Sequence, residues 1–255
     1  MKYLNKLITH KRGDIPLILS VPHGGEVLCD EVPTRSSGIR GIDRNTILLA
    51  KELVKMLQHI YDKRSHMSKE PSFVFSDIAR SKIDLNRPQE RAFNQDSVLA
   101  KNLYLLYHHT IKKYILQNIE VYNTSILLDI HGFEVKSRPR GFRDVDIILG
   151  TNNLNSLSAE PIKKKDWSNN IRGRIIKKFL GLEIPIAPGH PRRREYVLSG
   201  GYITKKYGAS QISNSQAIQI EFSDRIRIDQ VKLRKLVLKS LAEIFFEYFN
   251  QIKSL

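Results

Sequence analysis

Two histidines far apart in the chain share one local setting. His23 follows the apolar run Leu17-Ile18-Leu19-Ser20-Val21-Pro22 and precedes Gly24-Gly25; His131 follows Leu127-Leu128-Asp129-Ile130 and precedes Gly132. Both imidazoles are therefore expected at the carboxyl ends of buried strands, where open α/β sheets hold their ligands. Two imidazoles, one carboxylate and an open position make a zinc site able to activate water. Two residues qualify as the carboxylate. Glu26 forms His-x-x-Glu with His23, a spacing that lets one turn present both side chains, and Asp43 lies where the next helical pattern begins.

A zinc hydrolase also needs a general base. Glu221, in Ala-Ile-Gln-Ile-Glu-Phe-Ser, sits at the end of a strand whose apolar residues Ile218, Ile220 and Phe222 must face elsewhere. A carboxylate so placed requires either a catalytic task or an arginine partner. The segment Ala79–Pro88 carries Arg80 and Arg87, whose planar forks suit a substrate carboxylate or a developing oxyanion. Asp84 and Asn86 are placed to orient them. In Ser199–Gly208, Gly200 and Gly201 permit close backbone approach to a ligand, and Tyr202 or Tyr207 offers a hydroxyl. The single cysteine, Cys29, has no neighbour that would activate a thiolate.

The elements that must position these groups alternate. Strands are expected at Ile15–Val21, Ser72–Ser76, Ser125–Ile130, Val145–Leu149 and Ala217–Phe222. Helices are expected after Asp43, which would serve as N-cap, at Val98–Ile119 and at Asp229–Ile252. Gly24–Gly41 and the polar Asn152–Lys165 read as loops. Strand and helix in alternation predict an α/β fold of three layers, a mostly parallel or mixed central sheet covered by helices. Without internal repeat or linker, residues 1–255 form one domain.

A hydrophobic fraction of 41% suits a globular protein, and no apolar run approaches the roughly 20 residues a membrane span needs. One cysteine excludes an internal disulfide framework, and the N-terminal segment has no apolar signal core; a cytoplasmic location is expected. The formal charge of +16 admits nucleic acid as a partner. The basic residues are dispersed, apart from short runs at Lys163–Lys165 and Arg192–Arg194, and no nucleic-acid-binding motif is present, so a solvated basic surface is the preferred reading.

Six segments in order resemble the N-formylglutamate amidohydrolase family: Pro-His-Gly-Gly at 22–25, Ile-Asp-Leu-Asn-Arg-Pro at 83–88, Leu-Asp-Ile-His at 128–131, Asp-Ile-Ile-Leu-Gly-Thr at 146–151, Gly-Gly-Tyr-Ile-Thr-Lys-Lys-Tyr-Gly at 200–208 and Gln-Ile-Glu at 219–221. The resemblance spans nearly the whole chain and departs from the family at Tyr202, where a histidine is frequent, and across Arg192–Ser199. It implies a zinc-dependent amidohydrolase with a fold related to the zinc carboxypeptidases and aspartoacylases. In that frame His23 and His131 are ligands, Glu221 is the base and Arg87 contacts a substrate carbonyl or carboxylate. The carboxypeptidase pattern points to Glu26 as the acidic ligand and the formylglutamate pattern to Asp43; Glu26 is the first choice, because its spacing requires no assumption about the loop. The expected activity is hydrolysis of a C–N amide bond in a small acidic N-acyl amino acid with one Zn2+. Two rivals are a metallo-carboxypeptidase or peptidoglycan-type amidase, and a basic nucleic-acid-binding protein on a degenerate hydrolase fold.

Overall fold

Apolar, β-branched runs dictate the central strands of the sheet. The computed structural model describes residues 4–137, 143–196 and 198–253. Its strands are β1 (Ile8–Lys11), β2 (Ile15–Val21), β3 (Pro71–Ser76), β4 (Ser125–Phe133), β5 (Ile147–Gly150), β6 (Ile186–Ala187) and β7 (Ser215–Ser223). Its helices are α1 (Leu4–Leu7), α2 (Thr46–Ser65), α3 (Gln89–Ala92), α4 (Val98–Tyr122), α5 (Ile171–Gly181), α6 (Tyr202–Tyr207) and α7 (Val231–Lys253). The strands form one sheet in the order β1-β3-β2-β4-β7-β5-β6. The four central strands are mutually parallel, β1 runs antiparallel to β3, and β5 runs antiparallel to β7, so the sheet is mixed. No helix among the described residues is long and apolar enough to cross a membrane.

The two-residue period of a strand sorts side chains onto two faces. Leu17, Leu19 and Val21, Ile126, Leu128 and Ile130, and Ile218, Ile220 and Phe222 pack in one core with α2, α5 and α7. Ile18, Leu127 and Ala217 pack on the other side with α4 and α6. Each fully buried aliphatic side chain is worth about 1.5–3 kcal/mol, so the strand ends are held rigidly by what lies beneath them. On the second face the apolar pattern stops short of the carboxyl edge. There the sequence supplies Ser20, Asp129, His131, Gln219 and Glu221, one polar cluster built from three adjacent strands.

Several local expectations are corrected. Asp43 does not cap α2: the helix starts at Thr46 from Asn45, which adopts the left-handed conformation (φ 63°), and no side chain caps the helix. The Asp43 carboxylate is engaged elsewhere, as described below. The segment Ser199–Gly208 contains a helix, α6, which begins immediately after Gly201. Asn152–Lys165 is only partly a surface loop, since Leu154, Ser156 and Leu157 are buried. Edge strand β1, helix α5 and the two-residue β6 are additional to the expected elements.

Candidate metal centre

His23 lies two residues past the end of β2, and His131 lies near the end of β4, where pairing with β7 fixes its backbone. Asp43 arrives from the loop before α2. Its N–H donates to the His23 carbonyl at 2.9 Å, and its Oδ2 accepts from the Gly132 N–H at 3.2 Å. The three side chains converge, with one donor atom from each lying within 4.8 Å of the others. Asp43 Oδ2 is 3.2 Å from His131 Nδ1 and 3.6 Å from His23 Nδ1. All three are buried, and His23 Nδ1 has no hydrogen-bond partner.

The opposite edge of each ring meets a second carboxylate. Asp84 Oδ1 is 2.7 Å from His23 Nε2, and Asp129 Oδ2 is 2.9 Å from His131 Nε2. A carboxylate accepts only, so each Nε2 carries the proton and each Nδ1 keeps its lone pair toward Asp43. Imidazoles backed by carboxylates in this way are oriented for a metal ion. The donor set, two nitrogens and one oxygen around an orphaned buried nitrogen, fits a zinc ion with an open position.

The electrostatics agree. Burial alone would raise the Asp43 carboxyl, but the imidazoles of His131 and His23 beside it outweigh burial and hold it well below the usual range. Asp84 behaves likewise: burial opposes ionisation, and His23, Arg80 and Arg87 overcome it. Burial would lower His131, yet Asp129 and Asp43 raise it well above an ordinary histidine. Three buried carboxylates thus demand positive charge between them, which imidazolium protons or a divalent cation can supply.

Deeper support comes from a chain of hydroxyls. Ser20 Oγ donates to Asp129 Oδ1 at 2.8 Å, and the Tyr107 hydroxyl of α4 lies 2.7 Å from Ser20 Oγ. All four groups in the line from His131 to Tyr107 are buried.

Glu221 stands directly opposite His131 in the parallel β4–β7 pairing and on the same face. It is half-buried, and burial pushes its carboxyl above the usual range. Gln219, two residues back on the same face, donates from Nε2 to Glu221 Oε1 at 2.8 Å. The Gln219 amide is itself fixed, since its Oε1 accepts from the Gly201 N–H at 2.5 Å.

The other expected site residues separate into two groups. Arg80 is consumed internally, with Nε 3.2 Å from Asp84 and a terminal nitrogen 3.8 Å from Asp43. Arg87 lies 3.9 Å from Asp84 and keeps 42% of its side chain exposed, so its guanidinium can meet a ligand. Asn86 Oδ1 accepts from the Ile203 N–H at 2.9 Å, and its amide nitrogen lies 3.3 Å from His131 Nε2. Gly201 gives close approach to protein: a Cβ there would strike the Asn86 amide. Tyr202 is half-buried, with its hydroxyl 3.0 Å from Lys206 Nζ. Tyr207 is buried against His108. Glu26 is exposed and outside the His23–Asp43–His131 cluster. Cys29 is buried, with Sγ 3.2 Å from Glu31. Asp129, Gln219, Ser20 and Tyr107 were not singled out from the sequence. The strand period that puts Asp129 beside His131, and Gln219 beside Glu221, was the available signal.

The fold recurs in solved structures. The fold resembles that of an N-formylglutamate amidohydrolase. The crystal structure of N-formylglutamate amidohydrolase from Ralstonia eutropha JMP134 superposes with a TM-score of 0.67 over 97% of this chain and 99% of that one, at 11% identity. Gene product Atu2144 from Agrobacterium tumefaciens superposes with a TM-score of 0.64 over 100% and 97%, at 13% identity. No family model and no curated protein sequence matches the chain. At these identities the likeness is one of fold.

Proposed function

We propose that the chain is a metal-dependent hydrolase of C–N amide bonds in N-acyl amino acids, with His23, Asp43 and His131 holding one zinc ion and Glu221 acting as general base. One observation carries this reading: a half-buried Glu221 side by side with His131, on the sheet edge where His23 and Asp43 also converge. A zinc ion held by His23, Asp43 and His131 would supply Lewis acidity toward a carbonyl and a water nucleophilic near neutral pH.

The protein's own groups account for the rest. Gln219 occupies Oε1 of Glu221, so Oε2 is left to take the proton from the attacking water. As the water oxygen bonds to carbon and the C–N bond breaks, Glu221 returns that proton to the leaving nitrogen. Arg87 holds the carboxylate of the leaving amino acid, which fixes the amide for attack. Arg80 braces Asp84 and Asp43, and through them the two imidazoles.

Glu221→Gln keeps the shape and removes the base. Zinc content should stay at the wild-type level while hydrolysis of N-acyl amino acids falls about 10²–10⁴-fold. Turnover close to wild type in that variant overturns the role of Glu221. A panel of formyl, acetyl and peptidyl amides separates this reading from a peptidase acting on longer chains.

A further inference from the structure

The Arg192–Arg194 run is unused by the chemistry above, yet the fold holds it firmly. Arg172 of α5, 1% exposed, donates to the carbonyls of Pro191 at 3.0 Å and Arg193 at 2.7 Å. Its Nε lies 2.9 Å from the Glu195 carboxylate. Glu195 is buried in turn, accepting from the N–H groups of Thr151 at 2.8 Å and Asn153 at 2.9 Å. Burying an arginine is costly unless its charge is paired, and here the charge is paired with Glu195 while the two terminal nitrogens fix one surface turn. The turn presents the exposed Arg193 and Arg194 over a pocket of about 200 Å³ that Arg143 also lines, with Ile148, Ala187, Pro188 and Leu198 as its apolar part.

Sheet register locates this pocket. Ile148 stands opposite Glu221, which stands opposite His131, all on one face. Neighbouring strands are about 4.8 Å apart, so Ile148 is about 10 Å from His131 on the β5 side. Arg87 and Asp84 flank the centre from the other side, near His23. An anion held by Arg87 and one held by Arg193 and Arg194 would therefore bracket the scissile bond. The apolar floor suits methylenes and the basic rim suits a terminal carboxylate.

We propose that this pocket is an acyl-side subsite for a carboxylate on a short methylene arm, so that the preferred acyl group is dicarboxylic, three or so methylenes long, rather than formyl. The assignment of the acyl side rests on Arg87 binding the leaving amino acid as described above.

N-Glutarylglycine and N-valerylglycine have acyl chains of equal length and differ in the terminal carboxylate, so the pair isolates that group. Binding is measured by calorimetry on the full chain with and without zinc, and hydrolysis on the zinc-loaded chain. The glutaryl compound should bind at least tenfold more tightly, and the advantage should shrink as salt is raised. In Arg193→Ser/Arg194→Ser the ratio should fall several-fold toward one, Arg143 remaining in the pocket. In Arg193→Glu/Arg194→Glu the preference should pass to N-(5-aminovaleryl)glycine. Equal binding of the first pair by the wild type, or an undiminished glutaryl preference in both double variants, overturns the subsite. A glutaryl binding preference without cleavage of either compound would leave the subsite standing and remove the hydrolase reading.

Discussion

Asp84 and Asp43 lie on opposite edges of the His23 ring, 2.7 Å from Nε2 and 3.6 Å from Nδ1. One carboxylate fixes the tautomer and the other faces the lone pair that it leaves. Asp84→Asn removes the negative charge that holds the Nε2 proton and leaves a weaker amide acceptor. Zinc affinity, read by competition with a chelating dye, should weaken about 10–100-fold, and Asp129→Asn should do the same through His131. Unchanged affinity in both would refute the orienting role.

The acidic ligand is decided by the same titration. Wild type and Glu26→Gln should each bind one zinc per chain. His23→Ala, His131→Ala and Asp43→Ala should each lose more than about 100-fold in affinity, beyond the loss of any backing group. A Glu26→Gln protein without zinc would return the ligand role to the residue first chosen from spacing.

His108 gives a pH dependence remote from the ligands. It lies on the buried side of α4, with Nε2 3.1 Å from the Leu85 carbonyl and Nδ1 2.8 Å from the Tyr207 hydroxyl. Leu85 offers only an acceptor, so the neutral ring keeps its proton on Nε2 and turns the Nδ1 lone pair to the Tyr207 hydroxyl, which also donates to the His108 carbonyl at 3.0 Å. Burial, with Lys206 nearby, lowers it to about 3. The unfolded chain binds the proton first as pH falls below about 6.5, so folding stability drops from there and goes on dropping down to about pH 3. Relative to His108→Gln, the wild type should lose about 2 kcal/mol between pH 6.5 and pH 5 in urea unfolding. Parallel pH profiles for the two proteins would contradict this.

Arg172 and Glu195 form a buried ion pair whose halves cannot be removed singly without cost. Glu195→Ala should destabilise the protein by about 3–5 kcal/mol, since Arg172 is then left charged and buried. A combined Arg172→Met/Glu195→Leu variant should recover much of that loss while loosening the Pro191–Glu195 turn. Denaturant midpoints report the first effect and proteolysis within the turn the second.

The sequence made the central strands legible because their runs are apolar and β-branched: Ile15–Val21 matches β2 at both ends, and the expected Ser72–Ser76 falls one residue short of β3. It made the two histidines legible because each stands at such a strand's end. Asp43 was misread as a helix cap because capping propensity is local, whereas the fate of its carboxylate is set by His131, which arrives from across the sheet. Glu26 matched a spacing, but a spacing specifies reach and not direction; its chain runs along Ile78 and Ala79 through isolated bridges and leaves the side chain in solvent. Helix α5 carried a readable signal, since Asn170 caps it by accepting from the Gly173 N–H and Ile171, Ile175, Ile176 and Phe179 line one side. Strand β1 carried almost none, because three of its four residues are exposed.

The sheet divides labour between its faces. The α2, α5 and α7 side supplies bulk cohesion, and the α4 and α6 side supplies His131, Asp129, Gln219 and Glu221. Selection for robustness and selection for a new substrate therefore act on separate sets of residues. A laboratory lineage could exchange the first set for sturdier packing while the reactive edge stays untouched.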